Sequence, residues 1–295
     1  MRWNLAVAAL ASSWGLIPII VREVDLDAQV LVFYRLAVAA VALFVVAIVF
    51  RQLQELRVTR HRGRIVLIGV LLGAHWFLYF ATIKLSSVAV AVLLAYLAPI
   101  AIALIAPFVL PESRSVVALA ALVPAALGVA LVALGGEEGG AVRPLALATG
   151  LATAATYAAL VILTKRIATE VPLLGLTTWN YTIAAVAIAP LLLTADRVLP
   201  TVRELPAVVA LGLGFTALSG YLYIWLLRRV TAQAIGVLAY IEPVSAALLA
   251  WAILGEELSW QVVVGGALVI LGGLAVVVFE PEDAAAPEAA PLTRG

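Results

Sequence analysis

One carboxylate and one guanidinium lie inside segments that are otherwise apolar enough to enter a lipid bilayer. Glu242 lies near the middle of the apolar run 232–254, and Arg35 lies within the run 28–50. Ionisable groups at that depth are functional candidates by default. Glu242 is therefore a candidate for proton coupling, and the alternative is a protonated or backbone-bonded side chain. For Arg35 we expect the charge to reach the outer surface or a helix end, with direct substrate contact as the alternative.

Aromatic and hydrogen-bonding side chains recur in the same apolar runs. His75 and Tyr79, four residues apart, share one helix face. Rings stack on apolar groups and attract ammonium ions by about 0.5–2 kcal/mol, so the pattern predicts a central cavity for a small amphiphile. The predicted substrate-binding residues are His75, Trp76, Tyr79, Tyr96, Tyr157, Trp179, Asn180, Tyr221, Trp225, Gln233 and Tyr240. Rings can instead form a belt at the membrane interface, and His75 can instead be a hydrogen-bond donor between helices.

A tyrosine–proline motif occurs twice, at a constant offset of 144 residues. Tyr96 and Pro99 recur as Tyr240 and Pro243, and Glu112, Ser115 and Gly128 recur as Glu256, Ser259 and Gly272. Proline removes one helical hydrogen bond, so Pro99 and Pro243 are predicted hinges, with a static kink as the alternative. Glu242 corresponds to Ala98 and is not part of the shared motif. It also lies roughly 200° around the helix from Tyr240, so we do not expect both to face one pocket.

Ten stretches are long enough to carry these residues across a bilayer. Of the 295 residues, 65% are hydrophobic and 12% are charged, whereas soluble domains average about half apolar and a quarter charged. A spanning helix needs about 20 apolar residues, and exposed non-helical backbone is excluded from lipid unless a barrel closes. The predicted spans 1 to 10 cover residues 3–22, 28–50, 65–84, 87–110, 115–134, 144–164, 173–194, 205–227, 232–254 and 259–279. The fold class is an all-α integral membrane protein.

The placement of lysine and arginine predicts the direction of insertion. With a cytoplasmic N-terminus, the inner loops and termini carry twelve such residues and the outer loops five, as the positive-inside rule requires. Both termini are then cytoplasmic. Because each half has five spans, an odd number, the second half inserts in the opposite direction. We predict inverted repeats over 1–136 and 141–279, and a disordered cytoplasmic tail over 280–295.

Composition also limits the chemistry. There are no cysteines and two separated histidines, so we predict no metal and no cofactor. The net charge of +1 gives no reason to expect nucleic acid. An intramembrane transferase would need clustered carboxylates or a paired base, and Asp25 and Asp27 have no matching partners, so we predict no enzyme. The predicted partners are the bilayer and a small-molecule substrate, and the protein is a monomer or weak homodimer. Spans 5 and 10, almost wholly aliphatic, are predicted scaffold or dimer face.

The doubled motif resembles the EamA repeats of the drug/metabolite transporter superfamily over about residues 3–279. Segments 95–99 and 239–243, each followed by Glu112 or Glu256, carry the resemblance. The aromatic span 3 and the chain length are similar to the YddG-type aromatic amino acid exporters. The resemblance implies ten helices, inverted repeats and a central cavity formed mostly without helices 5 and 10. It also implies export of amino acids and other metabolites across a bacterial inner membrane.

We therefore predict a transporter that exports amino acids, aromatic ones among them, by alternating access. Multidrug or other metabolite efflux by the same fold is the alternative, and an intramembrane transferase is the weakest. Sugar-phosphate exchange needs basic groups in the cavity, and Arg35 alone lies clearly within a span. The small multidrug relatives rely on a glutamate in the first helix, which here has none. A channel is disfavoured because matched prolines in inverted repeats suit alternating access.

Overall fold

The structure is a computed structural model that describes residues 2–109, 116–134, 142–167, 170–227 and 241–279. Regular structure in these ranges is helical. The α-helices are α1 Arg2–Trp14, α2 Leu16–Glu23, α3 Ala28–Val49, α4 Arg62–Leu85, α5 Val88–Ala95, α6 Ala98–Val109, α7 Val116–Leu134, α8 Pro144–Lys165, α9 Leu173–Ile188, α10 Leu205–Val209, α11 Ser219–Leu227, α12 Ile241–Leu249 and α13 Trp260–Phe279. Segments Leu53–Leu56 and Ala189–Thr194 are 3₁₀-helical, and Ala210–Leu218 and Ala250–Leu254 are π-helical.

Several of these helices are long and apolar enough to cross a membrane. Within the described ranges there are six, which cover Leu5–Glu23, Ala28–Val49, Arg62–Leu85, Pro144–Thr164, Leu173–Thr194 and Leu205–Tyr223. Shorter apolar helices cover Val88–Ile102, Ile241–Leu254 and Trp260–Gly272. The predicted all-α membrane class is confirmed, while the number of ten spans stays a prediction. Glu112, Ser115, the break at 135–140, Gln233, Tyr240 and the tail 280–295 lie outside the described residues.

Spans 1 and 4 are each interrupted. In span 1 the interruption falls at Gly15, between α1 and α2, where a Cβ atom would lie 2.9 Å from the Ala246 nitrogen. Glycine therefore lets α12 approach α1 and α2 closely. In span 4 the α-helix ends before Tyr96, and the Leu97 N–H donates to the Leu94 carbonyl at 3.2 Å. Pro99 has no N–H to donate, so the new helix α6 starts just before it.

Small residues set the close packing of the long helices. A Cβ on Gly73 of α4 would lie 2.9 Å from the Ala184 carbonyl oxygen of α9. A Cβ on Gly128 of α7 would lie 2.9 Å from Val269 of α13. Backbones that approach this closely gain van der Waals contact, which is what holds helices together in lipid. Span 3 is thus fixed against span 7, and the aliphatic spans 5 and 10 pack against each other.

Contacts between loops report how the two halves are directed. The Asp196 N–H, in the loop after span 7, donates to Asp27 Oδ2, in the loop after span 1, at 3.1 Å. His61, in the loop after span 2, shares a 2.9 Å hydrogen bond with Glu170, in the loop after span 6. The first loop of the second half therefore meets the second loop of the first half. This pattern is the one expected of oppositely directed halves, and the inverted repeat stays a prediction.

Candidate functional site

Five aromatic side chains form one cluster where spans 3 and 6 meet. We define this ring cluster as His75, Trp76, Tyr79, Phe80 and Tyr157. The His75 ring centroid lies 5.2 Å from that of Trp76, 5.3 Å from Tyr157 and 6.4 Å from Tyr79. Trp76 lies 5.8 Å from Phe80. Offset and edge-on contacts at these separations are favourable for aromatic pairs, so the cluster is a packed unit that draws on both halves.

The sequence interpretation of helical faces accounts for this cluster. His75 and Tyr79 lie on one face of α4, as their spacing predicted, and their rings are parallel to within 3°. His75 Nδ1 lies 3.1 Å from the Thr153 carbonyl oxygen and 3.4 Å from Thr156 Oγ1, both on α8. A buried histidine with a backbone acceptor has the hydrogen bond that burial demands. His75 therefore contacts span 6 as its alternative assignment expected, and its substrate-binding role stays a prediction.

Arg35 occupies the centre of the protein, which corrects the expectation that its charge reaches the outer surface. The residue is 1% exposed. Its guanidinium carbon lies 3.6 Å from the Trp76 ring centroid and 5.3 Å from that of Phe80. Nε donates to Thr216 Oγ1 at 2.5 Å, and Nη2 donates to the Phe215 carbonyl at 3.2 Å. Cation–π contact and two hydrogen bonds hold the charge in place, so it has no need to extend to water.

The π-helical turn in span 8 shapes the seat of this arginine. The Thr216 hydroxyl donates to the Leu211 carbonyl, five residues earlier, at 2.6 Å. Its oxygen remains available as an acceptor for Arg35. The Tyr181 hydroxyl donates to the Thr216 carbonyl at 3.3 Å. Extra residues inserted in a helix as π turns are frequent at functional positions, and here the turn presents acceptors to a buried cation.

Glu242 lies near the ring cluster. The Tyr96 hydroxyl donates to Glu242 Oε2 at 2.8 Å, and this bond joins span 4 to span 9. Glu242 is also close enough for its charge to interact with Arg35, Tyr79 and Tyr157. The region between the halves therefore contains one acidic and one basic side chain. Tyr240, the residue we did not expect to share a pocket with Glu242, lies outside the described residues.

A pair of tyrosines extends the site along spans 6 and 8. The hydroxyls of Tyr157 and Tyr223 are hydrogen-bonded to each other. The Tyr223 ring lies 5.5 Å from Trp14 of span 1. Tyr223 was not among the predicted binding residues, although its repeat correspondence with Tyr79 was a usable signal. The two tyrosines therefore place hydroxyl groups from span 6 and span 8 near span 1.

Other predicted binding residues lie away from the ring cluster. The Trp179 Nε1–H donates to the Leu56 carbonyl at 2.9 Å, which places its ring near the loop after span 2. Trp225 packs edge-on against Trp3 at 5.2 Å, near the N-terminus. Tyr221 is 42% exposed on the outside of α11. Asn180 is buried beside Gly69 of span 3, and its Oδ1 has no hydrogen-bond partner among the described residues.

Of the two predicted hinges, Pro99 falls in the first turn of a helix, and Pro243 lies in α12 close to where the described residues resume. Pro99 is the second residue of α6, and Pro243 is the third residue of α12. The Ser245 hydroxyl donates to the Glu242 carbonyl at 2.9 Å and lies 3.3 Å from the Ser12 carbonyl oxygen. Such side-chain bonds satisfy backbone groups near a proline in a membrane helix. The hinge role itself stays a prediction.

Ion pairs outside the spans hold the loops at both faces. The guanidinium of Arg197 is bonded to Glu204 at 2.6 and 2.7 Å. This bond lowers the pKa of Glu204 to about 2, and the carboxylate raises the pKa of Arg197 in return. At the opposite face, the hydrogen bond from His61 lowers the pKa of Glu170. Arg197 also donates to the Asp25 carbonyl at 2.7 Å, so each face has a polar contact between loops of the two halves.

Two cavities in the described part of the molecule lie at loops. A cavity of about 620 Å³ is lined by Leu248, Trp251 and the segment 255–258 at a loop. A smaller one, of about 70 Å³, lies beside Glu170. The rings of the cluster pack against one another, with centroids from 5.2 to 6.4 Å apart. Within the described ranges, no three His, Cys, Asp or Glu side chains gather as a metal site requires.

Comparison with known proteins is consistent with this geometry. A family model described as "EamA-like transporter family" matches residues 1–134 and, again, 144–278. A solved structure titled "Crystal structure of protein" is 25% identical, covers 94% of this chain and 96% of its own, and superposes with a TM-score of 0.66. No curated protein matches the chain. The two matched segments each contain one copy of the tyrosine–proline motif.

Proposed function

We infer that this chain, which belongs to the EamA-like transporter family, moves small metabolites across a membrane, and we propose amino acids, aromatic ones among them, as its substrates. The proposal places the protein in a bacterial inner membrane, with both termini in the cytoplasm, ten spans and export as the physiological direction. The similarity to YddG-type exporters belongs to the same proposal.

The proposal rests on one observation, a ring-lined and charged region between the two repeats. Span 2 contributes Arg35, span 4 contributes Tyr96, and span 9 contributes Glu242. The ring cluster adds apolar faces that can stack on a substrate side chain. A free amino acid combines an apolar or aromatic body with a positive and a negative group. The region offers a complement to each of these parts.

Alternating access supplies the transport mechanism that we propose. In transporters built from inverted repeats, the site stays near mid-membrane and the repeats rock around it. Gly15 follows Trp14, whose ring packs on Tyr223, and Pro99 and Pro243 closely follow the bonded pair Tyr96 and Glu242 along the chain. Bending there would separate rings that now touch. The contacts between loops at the two faces, Arg197 to the Asp25 carbonyl and His61 to Glu170, would break and form in turn.

Transport by purified protein in liposomes tests the proposal. Labelled phenylalanine and alanine are supplied, and unlabelled amino acids, amines and sugar phosphates compete. We expect amino acids to compete and sugar phosphates not to. Tyr79→Ala should reduce uptake at least tenfold, because the ring lies inside the cluster. Phe50→Ala, which removes a ring that is 67% exposed, is the control and should keep normal uptake. Uptake of neither amino acid by the wild-type protein would refute the proposed substrate class.

Energy coupling is tested in the same liposomes. Flux is compared with and without a pH gradient, in the wild type and in Glu242→Gln. If Glu242 carries the coupled proton, the gradient should accelerate wild-type flux and leave the variant unchanged. Equal flux under both conditions in the wild type would remove Glu242 from that role.

Topology is directly measurable because the chain contains no cysteine. Single cysteines are introduced at Gln54 and at Val202, both on exposed loop positions. In intact cells an impermeant thiol reagent should label the cysteine at 202 and spare the one at 54. Labelling in the reverse order would place the termini outside.

A further inference from the structure

The guanidinium of Arg35 is fixed on three sides and unsatisfied on the fourth. The Trp76 ring lies under its carbon atom at 3.6 Å, Thr216 accepts from Nε, and Phe215 accepts from Nη2. Nη1 is buried and has no hydrogen-bond partner in the part of the chain that the structure describes. A buried donor attached to a charged group is costly to leave unpaired. The orientation is therefore set, and one edge of the cation is left for another acceptor.

The hydroxyl of Tyr79 is unsatisfied in the same neighbourhood. Tyr79 is 5% exposed, and its oxygen has no hydrogen-bond partner among the described residues. Its ring centroid lies 6.0 Å from that of Trp76, the ring on which Arg35 rests. Two buried donors therefore lie near the Trp76 ring, and each lacks an acceptor among the described residues.

The protein's own carboxylate does not fill this role. Glu242, whose charge also acts on Arg35, is hydrogen-bonded to the Tyr96 hydroxyl. Within the described ranges Glu242 is the acidic group whose charge acts on Arg35, so we assign a second acidic group to a ligand. A carboxylate has two oxygens and can accept from both donors at once.

We propose that Arg35 Nη1 and Tyr79 Oη bind the carboxylate of the substrate and so distinguish an amino acid from the matching amine. This inference rests on the proposed function and adds to it the identity of the recognised group. A zwitterion suits the site better than a phosphate, because it brings one charge of each sign to a region that holds Arg35 and Glu242. A doubly charged phosphate would leave negative charge unbalanced in a poorly solvated place.

The test compares ligands that differ only in the carboxylate. Wild-type protein, Tyr79→Phe and Arg35→Gln are reconstituted in liposomes. Half-saturation is measured for labelled phenylalanine and alanine, and inhibition is measured for phenethylamine and ethylamine. Tyr34→Phe is the matched control, because it also removes a tyrosine hydroxyl. Tyr34 is next to Arg35 in the chain, but its ring packs on Phe33. Thermal midpoints in detergent verify that each variant is folded.

We expect Tyr79→Phe to raise half-saturation for both amino acids about tenfold or more, the cost of losing one hydrogen bond to a charged group. Inhibition by the two amines should stay within about twofold of the wild type. Arg35→Gln should have a larger effect of the same kind. Should that variant fail to fold, the Tyr79→Phe result decides alone.

Two outcomes overturn the inference while leaving the proposed function intact. In the first, the wild type transports amino acids and Tyr79→Phe has the same half-saturation for them. The Tyr79 hydroxyl then makes no hydrogen bond to the substrate. In the second, Tyr79→Phe weakens amino acids and amines equally, so that the hydroxyl only supports the fold of the site. Failure of the wild type to transport either amino acid refutes the proposed substrate class and the inference together.

Discussion

The hydrogen bond between Tyr96 and Glu242 is the most direct test of how the halves meet. The phenolic oxygen and Oε2 are 2.8 Å apart, and both side chains are partly buried. A hydrogen bond to an ionised partner contributes about 1.5–3 kcal/mol, and one between neutral groups about 0.5–1.5 kcal/mol. Tyr96→Phe removes the hydroxyl alone, and Glu242→Met removes both oxygens while keeping an unbranched side chain of similar length.

The two variants and their combination form a double-mutant cycle. Free energies of unfolding are measured by reversible denaturant titration in bicelles at pH 7. We expect each single variant to destabilise the protein and the double variant to lose less than the sum of the two. The coupling energy should be about 1.5–3 kcal/mol if the carboxyl group is ionised and about 0.5–1.5 kcal/mol if it is protonated. The size of the coupling thus reports the charge of Glu242 as well as the contact.

A control cycle pairs Glu242→Met with Tyr34→Phe. Tyr34 packs edge-on against Phe33, so its coupling to Glu242 should fall within about 0.5 kcal/mol of zero. A Tyr96–Glu242 coupling as small as this control would refute the reasoning, since spans 4 and 9 would then not share the bond that joins the repeats.

Three further predictions concern packing, pH and helix capping. Gly73→Ala should lower the free energy of unfolding by about 1–3 kcal/mol, because the added Cβ would lie 2.9 Å from the backbone of span 7. The control Gly63→Ala meets nothing within 4 Å and should cause no loss, so equal denaturation midpoints for the two variants would contradict the close packing. The pKa of Glu204 is lowered from 4.5 to about 2, so its stabilising ion pair is fully present above pH 4.5 and is lost as the pH falls through about 2. Glu204→Gln should therefore lower the thermal midpoint at pH 7 and have a smaller effect toward pH 2. A difference between wild-type and variant midpoints that does not change with pH would count against the ion pair. The carboxylate of Glu256 accepts from the Val88 N–H at 3.0 and 3.1 Å, so Glu256→Gln should cost about 0.3–1 kcal/mol at the N-terminus of α5, and a denaturation curve that matches the wild type would exclude this cap.

Much of the architecture followed from local sequence. Long apolar runs predicted membrane helices because lipid requires every backbone group to be bonded within the chain. The recurrence of Tyr96 and Pro99 144 residues later indicated duplication, and the family match over two segments agrees with it. The spacing of His75 and Tyr79 predicted a shared face because the helical period is fixed.

Tertiary structure alone decided which faces meet. Periodicity places Trp179 on a helix face but does not say that this face lies against the loop carbonyl of Leu56. It likewise places Arg35 within a span without revealing that a π turn 181 residues later supplies its acceptor. The expected escape of that charge to the surface was wrong because an aromatic ring and two oxygens stabilise it in the interior. A sequence determines what each helix can offer, whereas partners distant along the chain become known only when the helices are packed.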